Sequence, residues 1–236
     1  MFNYRGKKIQ IFLDGVKKDN LKKRNLNIVD GLTYNPSLLR KLKVKNYLAE
    51  IREISKIYRK KPLSFEIIAD DEENGLNQAK KISNFGENIY VKIPIFFTNG
   101  KSTKILIKKA LNNSVKINVT AIMSLRQIKE IINIVKNTDT ILSVFAGRIY
   151  DIGIDAKNEM AKINHFVHKY SNCKTLWASP RMSYDVINAL KTNTDIITIP
   201  EEFLDKFKKF GIHPNKYSIE TVKMFFTDAK KSKYKI

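Results

Sequence analysis

A lysine inside an apolar strand is the first residue of this chain that invites chemistry. Ile89-Tyr90-Val91-Lys92-Ile93-Pro94 is a β-branched run closed by proline, the pattern of a parallel strand buried on both faces. Such a strand has no obvious berth for an ammonium group, because lysine is rarely buried without a purpose or a partner. An amine attacks a carbonyl only in its free form, and burial beside other cations pulls a lysine pKa well below its usual value of about 10.4. Reaching neutrality asks roughly 4 kcal/mol of the surrounding fold, which points to a pre-built pocket. The ordinary explanation for the same pattern is a strand-end lysine whose methylenes are buried while the ammonium reaches solvent.

The elements that would have to position Lys92 are legible in the hydrophobic pattern. Strand-like runs occur near Ile9-Leu13, Ile28-Leu32, Leu63-Ile68, Ile89-Ile93, Val115-Val119, Thr140-Val144, Thr175-Ala178 and Asp195-Ile199. Helical spacing lies between them, most clearly at Ile128, Ile131, Ile132 and Val135. Ser124 with Gln127 three residues on predicts a capping box at the start of that helix. Pro36 is placed near the start of a long helix, where its missing N–H costs little. Strand and helix alternating eight times predict an α/β chain, a (β/α)₈ barrel, with a doubly wound open sheet as the alternative. Two further helices are expected at Glu201-Phe210 and Ser218-Ala229, the second followed by a basic tail over Lys230-Lys235. The whole of 1–236 then reads as one domain in which about 218–236 is an extra C-terminal helix and tail. Phe225 and Phe226 suggest that this helix docks on a neighbouring subunit.

A barrel concentrates function at the C-terminal ends of its strands. Asp14 ends the first strand, Thr33 and Asn35 follow the second, and Glu66 lies in the third. Lys92 closes the fourth, Asn118 and Thr120 the fifth, Ser143 and Arg148 the sixth, and Ser179 and Arg181 follow the seventh. Each alone is most simply a cap, a turn residue or a surface charge. Their joint placement on one rim is what calls for explanation.

Composition narrows the partners. Forty-four Lys and Arg stand against 23 Asp and Glu, a net charge of +21, which asks for an anion: nucleic acid or a phosphorylated metabolite. The lysines at 17, 18, 22, 23, 60, 61, 80, 81, 108, 109, 230 and 231 are dispersed, as on solvated helix faces. Aromatic residues are not interleaved with these clusters in a stacking pattern, which argues against nucleic acid. The single Cys173 excludes an internal disulfide and a cysteine metal cage. His165 and His168 lie three apart with no third ligand converging by sequence, and Gly100-Lys101-Ser102 has Ile95 where a P-loop requires glycine. No metal and no cofactor is expected. The start of the chain is polar and basic and no run spans a bilayer, so no membrane association is expected and the cytoplasm is the expected compartment.

Six motifs, in order along the chain, carry a family likeness. They are Ile11-Phe12-Leu13-Asp14, Asp30-Gly31-Leu32-Thr33-Tyr34-Asn35-Pro36-Ser37, Val91-Lys92-Ile93-Pro94, Asn118-Val119-Thr120, Phe145-Ala146-Gly147-Arg148-Ile149 and Ala178-Ser179. Over nearly its whole length the chain resembles the transaldolase family, specifically the short transaldolase and fructose-6-phosphate aldolase-like subfamily. The resemblance implies a (β/α)₈ TIM barrel, a homo-oligomer of five or ten subunits, and phosphorylated sugar substrates. It implies transfer of a dihydroxyacetone unit through a Schiff base on Lys92, from sedoheptulose 7-phosphate to glyceraldehyde 3-phosphate, giving erythrose 4-phosphate and fructose 6-phosphate. Asp14 would be the proton acceptor, and Glu66 with Thr120 would hold a proton-shuttling water. Asn35, Asn118 and Ser143 would hold the dihydroxyacetone part, Arg148 would bind the sugar phosphate with Ser179 and Arg181 completing the site, and Thr33 and Phe145 would join the substrate-binding set.

The resemblance also separates two branches. Dihydroxyacetone-releasing aldolases of this fold carry a glutamine in place of Glu66 and a tyrosine in place of Phe145, so both positions favour group transfer over cleavage. Two residues depart from the family pattern: Tyr34 replaces a small residue, and Val144 replaces the usual proline. A phenol at Tyr34 either reshapes the sugar pocket or merely packs, and the sequence leaves both open. The rival readings are an aldolase on the same site and, from another class, a non-catalytic basic barrel that binds nucleic acid.

Overall fold

The computed structural model of the protein describes residues 1–17, 19–20 and 28–232. Of the dispersed lysines, Lys18, Lys22 and Lys23 lie outside the described residues, as do Lys233 and Lys235 of the basic tail. The chain forms two compact units, Met1–Glu201 and Glu202–Ile236.

In the first unit the strands are β1 (Phe2–Tyr4), β2 (Lys7–Asp14), β3 (Gly31–Thr33), β4 (Leu63–Glu66), β5 (Ile89–Pro94), β6 (Ile117–Ile122), β7 (Ile141–Val144), β8 (Lys174–Trp177) and β9 (Ile196–Ile199). From β2 to β9 each strand pairs in parallel with the next, and β2 pairs with β9. That last pairing closes the sheet and decides between the barrel and the open sheet. A ninth strand, β1, was not expected from the sequence. It forms an antiparallel hairpin with β2 through Arg5 and Gly6, both with positive φ, the conformation a two-residue hairpin turn demands.

The helices described from end to end in this unit are α1 (Pro36–Lys41), α2 (Tyr47–Ile57), α3 (Glu72–Ser83), α4 (Lys104–Asn112), α5 (Leu125–Val135), α6 (Ala146–Asp151), α7 (Ala156–Tyr170) and α8 (Asp185–Lys191). The capping box at Ser124 and Gln127 is present, and Ile128, Ile131, Ile132 and Val135 are all buried. The long helix expected after Pro36 is instead two. Pro36 opens α1 under the Asn35 cap, but Lys43 takes a left-handed φ of 58° and Asn46 caps a new start, its Oδ1 accepting from Ala49 N at 3.0 Å. That left-handed residue ends the first helix, and a new cap begins the second.

Side chains of paired residues on neighbouring parallel strands share a face. The register Gln10↔Ile196, Phe12↔Gly31, Tyr90↔Ser64 and Asn118↔Ile141 therefore assigns one face of the sheet to the barrel interior. Phe12, Tyr90, Ile141, Leu176, Ala178 and Ile196 fill it as one cluster. Gly31 makes room for this filling, because a Cβ there would stand 2.6 Å from the Phe12 ring. Trp177 faces outward as ordinary core and is fully buried.

The second unit holds α9 (Glu202–Phe207) and α10 (Pro214–Ser232). Both expected helices exist with shifted ends. No residue of α10 is buried, and Ile219, Val222, Phe225 and Phe226 stand exposed on it. Among the described residues no helix is long and apolar enough to cross a membrane.

Candidate active site

Alternation along the strands delivers the rim residues to one place. Asp14 is in register with Thr33, Thr33 with Ser64, Glu66 with Lys92, and Lys92 with Asn118. All of them face the interior: Asp14, Thr33 and Glu66 are the last residues of their strands, Ser64 and Lys92 lie two residues before the end of theirs, and Asn118, expected to close its strand, is the second residue of β6. Lys92 is 4% exposed, so the solvent-reaching lysine is not what the fold builds. Its Nζ lies 3.2 Å from Glu66 Oε2 and donates to the Tyr34 carbonyl at 3.3 Å.

Among the described residues, two carboxylates act on Lys92: Glu66 in contact, and Asp14, whose ionisation Lys92 favours. Burial nevertheless dominates at Asp14 and holds its carboxyl above the usual carboxylate range, against the opposing pull of Lys92 and of the Thr33 hydroxyl. The amine, itself nearly closed to water, therefore sits beside one carboxylate and within the field of a second. A buried amine with a carboxylate partner exchanges its proton locally, without calling on bulk base.

Thr33 serves Asp14. Its hydroxyl donates to Asp14 Oδ1 at 2.8 Å and shares a 2.6 Å hydrogen bond with Thr198 Oγ1, so both lone partners of this group are protein atoms. On the opposite wall Ser143 Oγ donates to Asn118 Oδ1 at 2.6 Å, and Asn118 Nδ2 donates to Ser64 Oγ at 3.1 Å. Thr120 is 1% exposed and its Oγ1 has no hydrogen-bond partner among the described residues. An unpaired buried hydroxyl costs about 1–3 kcal/mol, which marks it as a seat for a polar guest. Asn35 caps α1 through Oδ1, at 2.9 Å from Leu38 N, and no described residue accepts from its Nδ2.

The remaining residues gather where α6 meets the end of β8. Gly147 N donates to Ala178 O at 3.4 Å, and a Cβ on Gly147 would fall 1.6 Å from Ser179 O, so only glycine permits this approach. Ser179 itself holds a left-handed φ of 58°. Arg148 is exposed with its guanidinium 5.4 Å from the Phe145 ring centroid, and it makes no ion pair among the described residues. Arg181 is different. Its guanidinium is taken by Asp151, whose carboxyl it holds below the usual range, and it donates to Ser179 Oγ at 3.1 Å.

Residues 11–236 match the sequence pattern of the family described as Transaldolase/Fructose-6-phosphate aldolase. The chain belongs to this family. It is 35% identical over 200 residues to a probable transaldolase of Methanococcus maripaludis, covering 84% of this chain and 89% of that relative. A probable transaldolase of Nitrosopumilus maritimus is 33% identical over 201 residues, covering 84% and 86%, and one of Bartonella henselae is 31% identical over 208 residues, covering 87% and 90%. Membership makes the protein an enzyme of the transaldolase or aldolase type. Among solved structures, 2,3-dimethylmalate lyase superposes with a TM-score of 0.61 at 10% identity, over 96% of this chain and 84% of that one. KGPDC from Streptococcus mutans gives 0.56 at 11% identity, over 81% and 87%. Likeness at this level shows the barrel fold alone.

Within this transaldolase-family barrel the departure at Tyr34 has a plain explanation. The ring is fully buried, stacks on Phe65 at 5.1 Å and donates from its hydroxyl to Val16 O at 2.9 Å. Phe65 alternates with the inward Ser64 and Glu66, so Tyr34 packs on the outer face of the sheet and only its carbonyl meets Lys92. The phenol packs away from Lys92. Sequence reading missed Ser64, Thr198 and Tyr47. Ser64 and Thr198 were accessible from strand alternation, lying on the inward face of β4 and β9. Tyr47, whose hydroxyl donates to the Glu66 carbonyl, gave no local signal.

Proposed function

We propose that this protein is a transaldolase that moves a dihydroxyacetone unit between phosphorylated sugars through a Schiff base on Lys92. The observation that carries the reading is a buried amine 3.2 Å from one carboxylate and electrostatically coupled to a second, Asp14, whose carboxyl burial keeps ready to exchange protons. Lys92 Nζ, having passed its proton to a neighbouring carboxylate, attacks the ketose C2. The carbinolamine loses water to form the iminium, its protons moving through a water held between Glu66 and the unpaired Thr120 hydroxyl. Asp14 takes the proton of the C4 hydroxyl, the C3–C4 bond breaks, and its electron pair moves toward the iminium nitrogen as the aldose leaves. The enamine attacks the acceptor aldehyde, whose oxygen regains a proton from Asp14. Water then hydrolyses the new iminium, so the water lost in the first step is returned and no redox partner is needed.

Asn35, Asn118 and Ser143 hold the three-carbon unit in this reading, supported by the spare Nδ2 of Asn35 and the interior placement of the other two. Thr33 acts beside them by orienting Asp14. Arg148 receives the phosphate as an unpaired fork, stacked on Phe145, and Arg181 contributes by holding Ser179. Sedoheptulose 7-phosphate and fructose 6-phosphate are the donor ketoses, and the work is cytoplasmic. The protein assembles as a pentamer or decamer through α10, a role supported by its exposed Ile219, Val222, Phe225 and Phe226.

Borohydride reduction in the presence of fructose 6-phosphate tests the reading: a three-carbon adduct, or the six-carbon one, is expected on Lys92 by peptide mass and none in Lys92→Arg. Labelling elsewhere, or none at all, overturns it. Steady release of free dihydroxyacetone without an acceptor would assign the cleaving aldolase reaction instead.

A further inference from the structure

The peptide that joins Glu66 to Ile67 hangs between two groups. Its N–H donates to the carbonyl of Lys92 at 3.0 Å, and its C=O accepts from the hydroxyl of Tyr47. The second contact replaces a missing strand. On the side of β4 that faces β3, Ser64 O accepts from Tyr34 N at 2.8 Å, and Glu66 O, two residues on, points the same way. By then the partner chain has left the sheet: β3 stops at Thr33 and α1 starts at Pro36. No β3 amide remains for Glu66 O, and a buried carbonyl without a donor costs about as much as a lost hydrogen bond.

We infer that Tyr47 is a positioning residue for Glu66, its phenol capping the orphan end of β4 and thereby fixing the carboxylate that faces Lys92. This rests on the role proposed above for the Lys92–Glu66 pair. Tyr47 is well placed to hold a position. It is the first residue of α2, anchored by the Asn46 cap and by Glu50 N donating to Asn46 O at 3.1 Å. Burial, with the Glu66 carboxylate adding to it, raises its pKa, so the phenol remains a neutral donor throughout the working pH range. With the hydroxyl gone the peptide keeps only its hinge to Lys92 and can rotate about it. A carboxylate that must stay within about 0.5 Å of its productive geometry does not tolerate that freedom.

Tyr47→Phe removes the donor and keeps the ring. The expected result is a kcat about tenfold lower with KM within twofold, a matching drop in the rate at which the Lys92 adduct becomes trappable by borohydride, and at least tenfold faster hydrogen exchange at the Ile67 amide. In a Glu66→Gln background, where the carboxylate is already lost, the same substitution should cost less than a further twofold, because residues acting as one unit are not additive. A merely structural tyrosine would cost the same in both backgrounds, and that outcome overturns the inference. So does an unchanged kcat or an Ile67 amide that exchanges no faster while the parent enzyme still forms its adduct. If the parent forms no Lys92 adduct, the Schiff-base reading fails, and the exchange rate at Ile67 alone decides whether Tyr47 clamps this peptide.

Discussion

Gly147→Ala separates the two halves of the site. The new Cβ would stand 1.6 Å from Ser179 O and 2.8 Å from Ser179 C. Ordinary carbon–oxygen contact begins near 3.3 Å, so α6 and the end of β8 must part by roughly 1.7 Å. The obstacle is backbone, and Ser179 is pinned in its left-handed conformation with Arg181 and Asp151 behind it. Alanine gains about 1 kcal/mol of helix propensity over glycine, but overpacking of this kind costs about 1–3 kcal/mol. The net effect is a loss of stability, with Arg148 and Ser179 displaced relative to each other. A displacement of about 1 Å can cost about 10²-fold in rate, so kcat/KM toward fructose 6-phosphate should fall about 100-fold. Lys92 lies on β5, away from this contact, and should still be trapped by borohydride with unphosphorylated dihydroxyacetone. Paired measurements of kcat/KM and adduct yield check this. A variant that keeps its KM for phosphorylated substrate and its melting temperature would refute the close-approach argument.

Three further outcomes follow from the geometry. Thr33→Val deletes a hydrogen bond that lowers the Asp14 pKa. In the proposed mechanism Asp14 accepts a proton only when ionised, so the acid limb of the kcat/KM profile should move to higher pH, while an unmoved limb would break the link between them. Arg148→Ala removes a cation that makes no ion pair among the described residues and should raise KM for phosphorylated ketoses about 10- to 100-fold with little change for dihydroxyacetone, measurable by initial rates on both. Tyr34→Phe leaves Val16 O without its donor and should cost about 1–2 kcal/mol in chemical denaturation without altering the ratio of kcat/KM between ketose phosphates. An altered ratio would return Tyr34 to the sugar pocket.

Local pattern alone carried much of this protein. Apolar, β-rich runs located all eight barrel strands to within a few residues, and Ser124 with Gln127 marked a helix start that the fold realises. The lysine in an apolar strand was visible as an anomaly without any contact being known. What local pattern could not reach was the identity of neighbours. Tyr34 and Lys92 meet across 58 positions, and Thr33 and Thr198 across 165. Closure of the barrel, the 3.2 Å contact of Glu66 with Lys92, the capture of Arg181 by Asp151, and the phenol of Tyr47 at the end of β4 all depend on strand register and on where each strand stops. Those quantities emerge only when eight strands share one hydrogen-bonded ring. Side-chain types are written in the chain, but the field and the proton acceptors around an amine are set by what the ring places within a few ångströms of it.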